Sequence, residues 1–362
     1  MSVVALFALG TVAVIGFLAT RAASAAHHVF ASGPVIGVLS SGTPLKTDDQ
    51  GRTNILVFGS SQDDAGHGGM WLDDSIQVVS IDATTKRAAM TAIPRDVWVT
   101  LDPGCLVGSE AKINAVWECA AGVFDQSQSA LPDYAARDAR GAAALADAVQ
   151  QVTGIATQYY VHVDYAALSR SVDAVGGIDV TITGDGGDGI YDTNLDTCTA
   201  PIPSCRTVYY PHNGIYHLDG EQALALSRAR GDANPRAYLD VGLARGDFDR
   251  EHNQQLVMAA LLHKATSAGV LLNPAAIDDL LSALGDNLTT NLSTSEAGTL
   301  RALGSSLDQA GLQHLSLTDP QQPLLVPGEQ GGQSVVVPTA GTFSYDAVHS
   351  FLAAALPAAL GE

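Results

Sequence analysis

Basic side chains are scarce: 18 lysines and arginines stand against 38 aspartates and glutamates, a formal net charge of −20 over 362 residues. No broad basic face can form to coat a nucleic acid, so that partner class is excluded, and an anionic ligand has to be met by a few local arginines. Cysteine is scarce too. The four present, Cys105, Cys119, Cys198 and Cys205, form no Cys-x-x-Cys motif, which excludes a zinc ribbon or a thioredoxin-like redox pair. The phosphate loop Gly-x-x-x-x-Gly-Lys-Ser/Thr, the nucleophile elbow Gly-x-Ser-x-Gly and the zinc helix His-Glu-x-x-His are missing. With them go the common routes to P-loop nucleotide, esterase and metallopeptidase chemistry. Internal repeats and low-complexity tracts are absent as well.

What is present describes an ordered chain: 46% apolar residues, 15% charged residues and 36 glycines, enough for one large domain with extensions. Val3 to Thr20 is an uncharged run followed by Arg21 and small residues through Ala26, so residues 1–26 read as a signal-anchor or signal peptide. Residues 27–52 read as a linker, 53–320 as the domain, and 321–362 as a C-terminal extension packing on it. Each cysteine pair brackets a loop-like segment, which suits two local disulfides on an exported domain, with four buried thiols as the alternative.

The apolar pattern predicts strands at Asn54–Phe58, Ser75–Ile81, Arg87–Ile93 and Tyr159–Val163, the second and third joined by a turn at Asp82–Lys86. Helical spacing covers Ala139–Val152, stopped by Gly154, and Tyr165–Val175. Thr183–Asn213 is a long Gly/Asp/Pro-rich insertion. Asp219 with Gln222 predicts a capping box for a helix ending at Gly231, and Asp247 or Asp249 a cap for one running to about Ser267. Further helices are expected at Pro274–Leu284 and Thr294–Leu307, and late strands at Gln313–Leu317 and Ser334–Val337. Strands and helices that alternate in this way indicate α/β layers.

Because arginines are few, their grouping carries information. Arg228 and Arg230 are expected on one helix, Arg250 opens the next with Gln254 one turn later, and Arg95 follows a strand end. Their planar donor forks suit phosphate, the alternative being ordinary ion pairs with the abundant aspartates. Asp63 and Asp64 follow the first strand, and Asp73 and Asp74 precede the second. Two carboxylates from neighbouring loops suffice for Mg²⁺ when a substrate phosphate completes the shell.

In order, Asn54-Ile-Leu-Val-Phe-Gly-Ser60, Asp74-Ser-Ile76, Ile93-Pro-Arg-Asp96, Lys112-Ile-Asn114, Tyr159-Tyr160, Val163-Asp164-Tyr165, Val175-Gly-Gly-Ile-Asp179, Leu218-Asp-Gly-Glu-Gln-Ala223, Ser227-Arg-Ala-Arg230 and Gly246-Asp-Phe-Asp-Arg250 with Gln254 resemble the LytR-CpsA-Psr family of bacterial envelope proteins. The resemblance implies a single three-layer α-β-α domain with a central mixed sheet and an apolar lipid pocket, held at the cell membrane by one N-terminal helix with the catalytic part outside. It implies a phosphotransferase that joins a glycopolymer from a polyprenyl-pyrophosphate carrier to peptidoglycan by a phosphodiester bond. A carrier-binding protein or a pyrophosphatase is the alternative. On that pattern Arg95, Arg228, Arg230, Arg250 and Gln254 hold the pyrophosphate, Asp96 is a candidate acceptor-activating base, and Asp74 and Asp63 hold Mg²⁺ or Mn²⁺. Two departures stand out: Ser61 occupies the place of the family's first aspartate, and Leu72-Asp73-Asp74 lacks a preceding arginine.

Overall fold

Thr53–Ser60 forms β1, and its residues divide by parity: Leu56 and Phe58 enter one core, while Ile55 and Val57 face another across the strand. A strand buried on both faces needs this near-continuous apolar run. The computed structural model describes residues 31–32, 37, 42–61, 71–105, 108–123, 133–187, 189–193, 207–231, 241–265, 288–304 and 312–362. After β1 come β2 (Asp73–Asp82), β3 (Arg87–Ala92), the hairpin β4 (Trp98–Cys105) and β5 (Gly108–Lys112), α1 (Val116–Ala121), α2 (Tyr134–Thr153), β6 (Tyr159–Asp164) and α3 (Tyr165–Ala174). Next are β7 (Ile178–Ile182), β8 (Ile190–Asp192), β9 (Val208–Tyr210), β10 (Gly214–Leu218), α4 (Gly220–Arg228), α5 (Asp247–Ala265), β11 (Leu288–Thr290), α6 (Thr294–Gly304) and β12 (Leu312–Leu315). The hairpin β13 (Leu325–Gln330) and β14 (Gln333–Pro338) and helix α7 (Asp346–Leu360) follow.

Six strands make one mixed sheet in the order β11-β6-β1-β2-β3-β12. The β1–β6 and β3–β12 pairs are parallel and the others antiparallel. One face packs on Trp117 of α1, Leu145 and Val149 of α2, and Val348 and Leu352 of α7. The other meets Met258 of α5 and Leu300 of α6, so the sheet lies between two helical layers. A smaller core, with Val172, Ile178, Leu226 and Val257, joins α3, β7, α4 and α5.

The sequence expectations for β1–β3, β6, α2 and α3 hold to within a few residues at the ends. Gly154 stops α2 with φ 73°, a left-handed conformation that suits glycine. Asp219 and Gln222 form the expected capping box on α4. That helix, however, stops at Arg228 and not at Gly231: Ala229 is extended, and the Arg230 and Gly231 N–H groups donate to Asp192 Oδ2 at 2.8 and 2.9 Å. A buried carboxylate from the insertion therefore takes the place of the next helical turn. The insertion also contains Gly184-x-Gly186-x-x-Gly189, a dinucleotide-fingerprint spacing, but Asn213 Oδ1 accepts from both the Gly184 and Gly189 N–H groups and closes the loop on itself. Both N–H groups are therefore already satisfied within the insertion.

Cys119 is disulfide-bonded, and no cysteine among the described residues is free. The Cys105 side chain, Cys198 and Cys205, Asp63 and Asp64, the expected helix at Pro274–Leu284 and the apolar run Val3–Thr20 lie outside the described residues. Among the described residues no helix is long and apolar enough to cross a membrane.

Beneath the sheet, Asp138 of α2 gathers a buried polar network. His162 Nδ1 lies 2.6 Å from its Oδ1, the Trp117 indole donates to Oδ1 at 3.1 Å, and the Tyr160 and Thr289 hydroxyls donate to Oδ2 at 3.1 and 2.6 Å. Burial opposes the charge of Asp138, yet His162 and the Thr289 and Tyr160 hydroxyls hold its pKa below the ordinary carboxylate value. Ser60 Oγ sits 2.7 Å from His162 Nε2, so Ser60, His162 and Asp138 have the hydrogen-bond order of a hydrolase triad. Their exposures are 0, 2 and 0%, which denies the serine any substrate. The network instead locks β1, β6, β11, α1 and α2 together. Tyr160→Phe should cost about 1.5 kcal/mol, the worth of one hydrogen bond to a charged acceptor, and lower the melting temperature by about 2–4 °C. An unchanged thermal melt would show that Asp138 does not need this donor.

Candidate active site

Parallel strands β1 and β6 end side by side at Gly59–Ser60 and Val163–Asp164, and a crevice opens at these carboxyl ends, where α/β sheets commonly take their ligands. The cavity there has a volume of about 390 Å³. Its apolar wall includes Val57, Phe58, Val163, Leu168, Val257 and Met258, and its polar end brings together Asp74, Arg95, Arg228, Arg230, Arg250 and Gln254. Arg95 thus converges on one space with Arg228, Arg230 and Arg250, which lie more than 130 positions later in the chain.

Each is placed by a different element. Arg95 follows β3 and donates to Asp74 Oδ1, with Asp96 Oδ2 3.6 Å from its Nε. Burial works against its charge, but Asp74, Asp96 and Asp247 hold its pKa above the ordinary arginine value. Arg228, on the last turn of α4, stacks with its guanidinium carbon 4.9 Å from the Tyr165 ring centre, a cation–π contact. Arg250, in the first turn of α5, pairs with Asp247 Oδ1 at 2.8 Å, and Arg230 reaches the same oxygen at 3.8 Å. Burial and the neighbouring charges of Arg95 and Arg230 lower the pKa of Arg250. The pocket therefore concentrates positive charge that its own carboxylates only partly offset. Gln254, one turn along α5, donates to the Asp74 backbone carbonyl at 3.0 Å, so α5 is pinned to the start of β2.

Two residues not singled out from sequence complete the arrangement. The Tyr165 hydroxyl donates to Asp74 Oδ2 at 2.7 Å. Burial and the adjacent carboxylate push its pKa well up, so it stays a donor. Asp247, read from sequence as a helix cap, bridges Arg230 and Arg250. The cue for Tyr165 was its position at the strand-to-helix turn Val163-Asp164-Tyr165, with Asp164 Oδ1 capping α3 at the Ala167 N–H.

Other sequence-expected residues do not share the cavity. Asp96 lines a small adjoining pocket, and Lys112 Nζ lies 2.7 Å from its Oδ1. Asp73 is fully buried beside Asp138 and Glu118, with both oxygens lacking hydrogen-bond partners, and burial raises its pKa well above the carboxylate norm. It does not line the arginine cavity, so the Asp73–Asp74 pair does not act there as a unit. Ser61 donates through both its N–H and its hydroxyl to the Leu72 carbonyl, at 3.0 and 3.3 Å, and so ties β1 to the approach to β2. Among the described residues no group of three or more His, Cys, Asp or Glu side chains could hold a metal alone. Asp74 and Asp164 are the carboxylates lining the cavity. Magnesium needs only one or two carboxylates when phosphate and water supply the rest, so the donor set fits a cation that arrives with a phosphate ligand.

The LytR_cpsA_psr family model matches residues 19–334. The chain is 28% identical over 263 residues to the polyisoprenyl-teichoic acid–peptidoglycan teichoic acid transferase TagV of Bacillus subtilis, covering 73% of this chain and 56% of that protein. It is 29% identical over 334 residues to the cell wall biosynthesis protein LcpA of Corynebacterium glutamicum, covering 88% and 55%. The matches thus span little more than half the length of these relatives. The crystal structure of B. subtilis TagV superposes with a TM-score of 0.57 at 24% identity, over 87% of this chain and 99% of that one, a likeness of fold.

Proposed function

The chain belongs to the LytR_cpsA_psr family, and from that premise we propose that it transfers a glycopolymer from a polyprenyl-pyrophosphate carrier to peptidoglycan. The observation that carries this reading is the convergence of Arg95, Arg228, Arg230 and Arg250 at the end of an apolar-walled cavity. Guanidinium forks match phosphate oxygens, and the apolar wall suits a prenyl chain. The relatives' names point the same way: TagV is named a teichoic acid transferase and LcpA a cell wall biosynthesis protein.

Phosphoryl transfer depends on positioning and charge stabilisation more than on a covalent nucleophile. In the proposed reaction an acceptor hydroxyl oxygen bonds to the phosphorus that carries the glycopolymer. The bridging P–O bond breaks, and polyprenyl monophosphate departs with the bond's electron pair and the hydroxyl proton. The arginines hold the pyrophosphate oxygens, Gln254 and Tyr165 hold Asp74 in place, and Asp74 is the residue that would bind Mg²⁺ or Mn²⁺. Such a cation supplies further neutralisation of phosphate charge. The cavity works outside the cell membrane, with the apolar residues near the N-terminus as its attachment.

The test is to incubate the full chain with a short-chain polyprenyl-pyrophosphate sugar and Mg²⁺, with and without peptidoglycan fragments, and to identify the products by mass. Sugar phosphate linked to peptidoglycan is the expected product. Monophosphate without a new linkage would replace transfer by hydrolysis, and intact lipid on the protein would make it a carrier.

A further inference from the structure

Arg95 lines the arginine cavity, the small pocket at Asp96 and a further, larger space. That second cavity has a volume of about 320 Å³ and is bounded also by Trp98, Glu110, Lys112, Asn114 and Gln333. Its chemistry is different. The first cavity presents four guanidinium groups beside an apolar wall, whereas the second presents an indole edge, a carboxylate, an ammonium group and two amides beside the apolar Leu72, Ala111 and Ala115. Such a set distinguishes neutral hydroxyl and acetamido groups through paired donors and acceptors, and the volume falls within the range of small-ligand sites.

The wall is pre-organised. The β4–β5 register sets Trp98 opposite Lys112, the Trp98 indole donates to Glu110 Oε2 at 2.9 Å, and Lys112 is anchored by Asp96. The Asn114 N–H donates to the Arg95 carbonyl at 3.2 Å, and the Val336 N–H to the Asp96 carbonyl at 2.8 Å. The hairpin and β14 are thereby fixed to the same short segment that carries Arg95 into the phosphate site. A ligand seated here would lie one side chain away from the bound pyrophosphate, which is the proximity a bimolecular transfer requires.

We propose that this second cavity is the acceptor subsite and takes an amino-sugar unit of a peptidoglycan glycan strand, presenting its hydroxyl past Arg95 to the phosphorus. This rests on the transferase reading, so binding is tested separately from turnover. Glu110 and Gln333 are exposed, which makes Glu110→Ala and Gln333→Ala variants that should keep the fold.

With the full chain in detergent micelles, tryptophan fluorescence titrated with soluble disaccharide-peptide fragments of peptidoglycan should saturate for the parent. Each variant should weaken the binding at least fivefold. In transfer assays the acceptor KM should rise by a similar factor while the lipid-donor KM stays within twofold. Unchanged fragment binding in both variants would overturn the subsite. So would a rise in donor KM instead, because the cavity would then hold the donor's own glycan. If the parent makes no transfer product yet binds the fragments through Glu110 and Gln333, the transferase reading fails and the saccharide site stands.

Discussion

Arg250→Gln is expected to lower kcat/KM for transfer by roughly 10²–10³-fold, the usual cost of removing one pre-organised charge stabiliser from a site of this kind. The melting temperature should move by no more than about 2 °C. The two halves of that expectation have separate causes. Arg250 is nearly buried at the polar end of the cavity and lies close enough to Arg95 and Arg230 for their charges to oppose its own, so the fold gains little from it and a bound anion would gain much. Its ion-pair partner, Asp247, has a half-exposed side chain and returns to water when the arginine is gone. No buried charge is stranded. Arg250→Lys separates charge from shape: it restores the point charge but not the fork, and should recover only part of the loss. Steady-state kinetics with the lipid-linked donor decide the matter, and turnover within threefold of the parent would remove Arg250 from the phosphate site.

The residues that make the site were legible in sequence to the extent that their neighbours in space are also neighbours in sequence. Arg250 and Gln254 could be placed on one face of α5 because four residues make one helical turn. The ends of β1 and β6 could be read from apolar runs that stop at Gly59 and Asp164. Partners contributed from afar were not legible. Tyr165 meets Asp74 from 91 positions away, and Arg230 leaves the helical path because Asp192, 38 positions earlier, takes its N–H.

The same division explains the fold. Strands β1 to β3 carry short apolar runs whose ends the sequence marks to within a few residues, whereas β4 runs through Asp102-Pro103-Gly104, which reads as a turn. Helix α7 lies in an alanine-rich stretch, with Val348, Leu352, Leu356 and Leu360 all buried at a spacing of four. That stripe was the available signal, and it places residues 346–360 against the same core as Trp117 and Leu145. The departure at Ser61 also gains a physical meaning: its hydroxyl bonds a backbone carbonyl and ties β1 to the approach to β2.

Glu251 yields the second large expectation. It follows Arg250 on α5, and burial pushes its carboxyl up to about 8 although Arg245 and Arg250 pull the other way. One of its oxygens is enclosed without a hydrogen-bond partner. Folding thus favours the protonated form, and the stabilisation this gives is full below the ordinary value of 4.5 and lost as pH rises from there through about 8. Glu251→Gln keeps the shape and does not titrate. Relative to this variant the parent should lose about 1.4 kcal/mol of stability per pH unit across that window, reaching on the order of 4 kcal/mol by pH 8. Denaturant titrations at pH 4, 6 and 8 measure the difference directly. A constant gap between the two proteins at all three values would mean that Glu251 is already ionised in the fold. The functional consequence has the same sign: a neutral Glu251 leaves the charge of Arg250 available to phosphate, whereas an ionised one beside it would draw that charge away. Above pH 8 the donor KM of the parent should therefore rise while that of Glu251→Gln stays level.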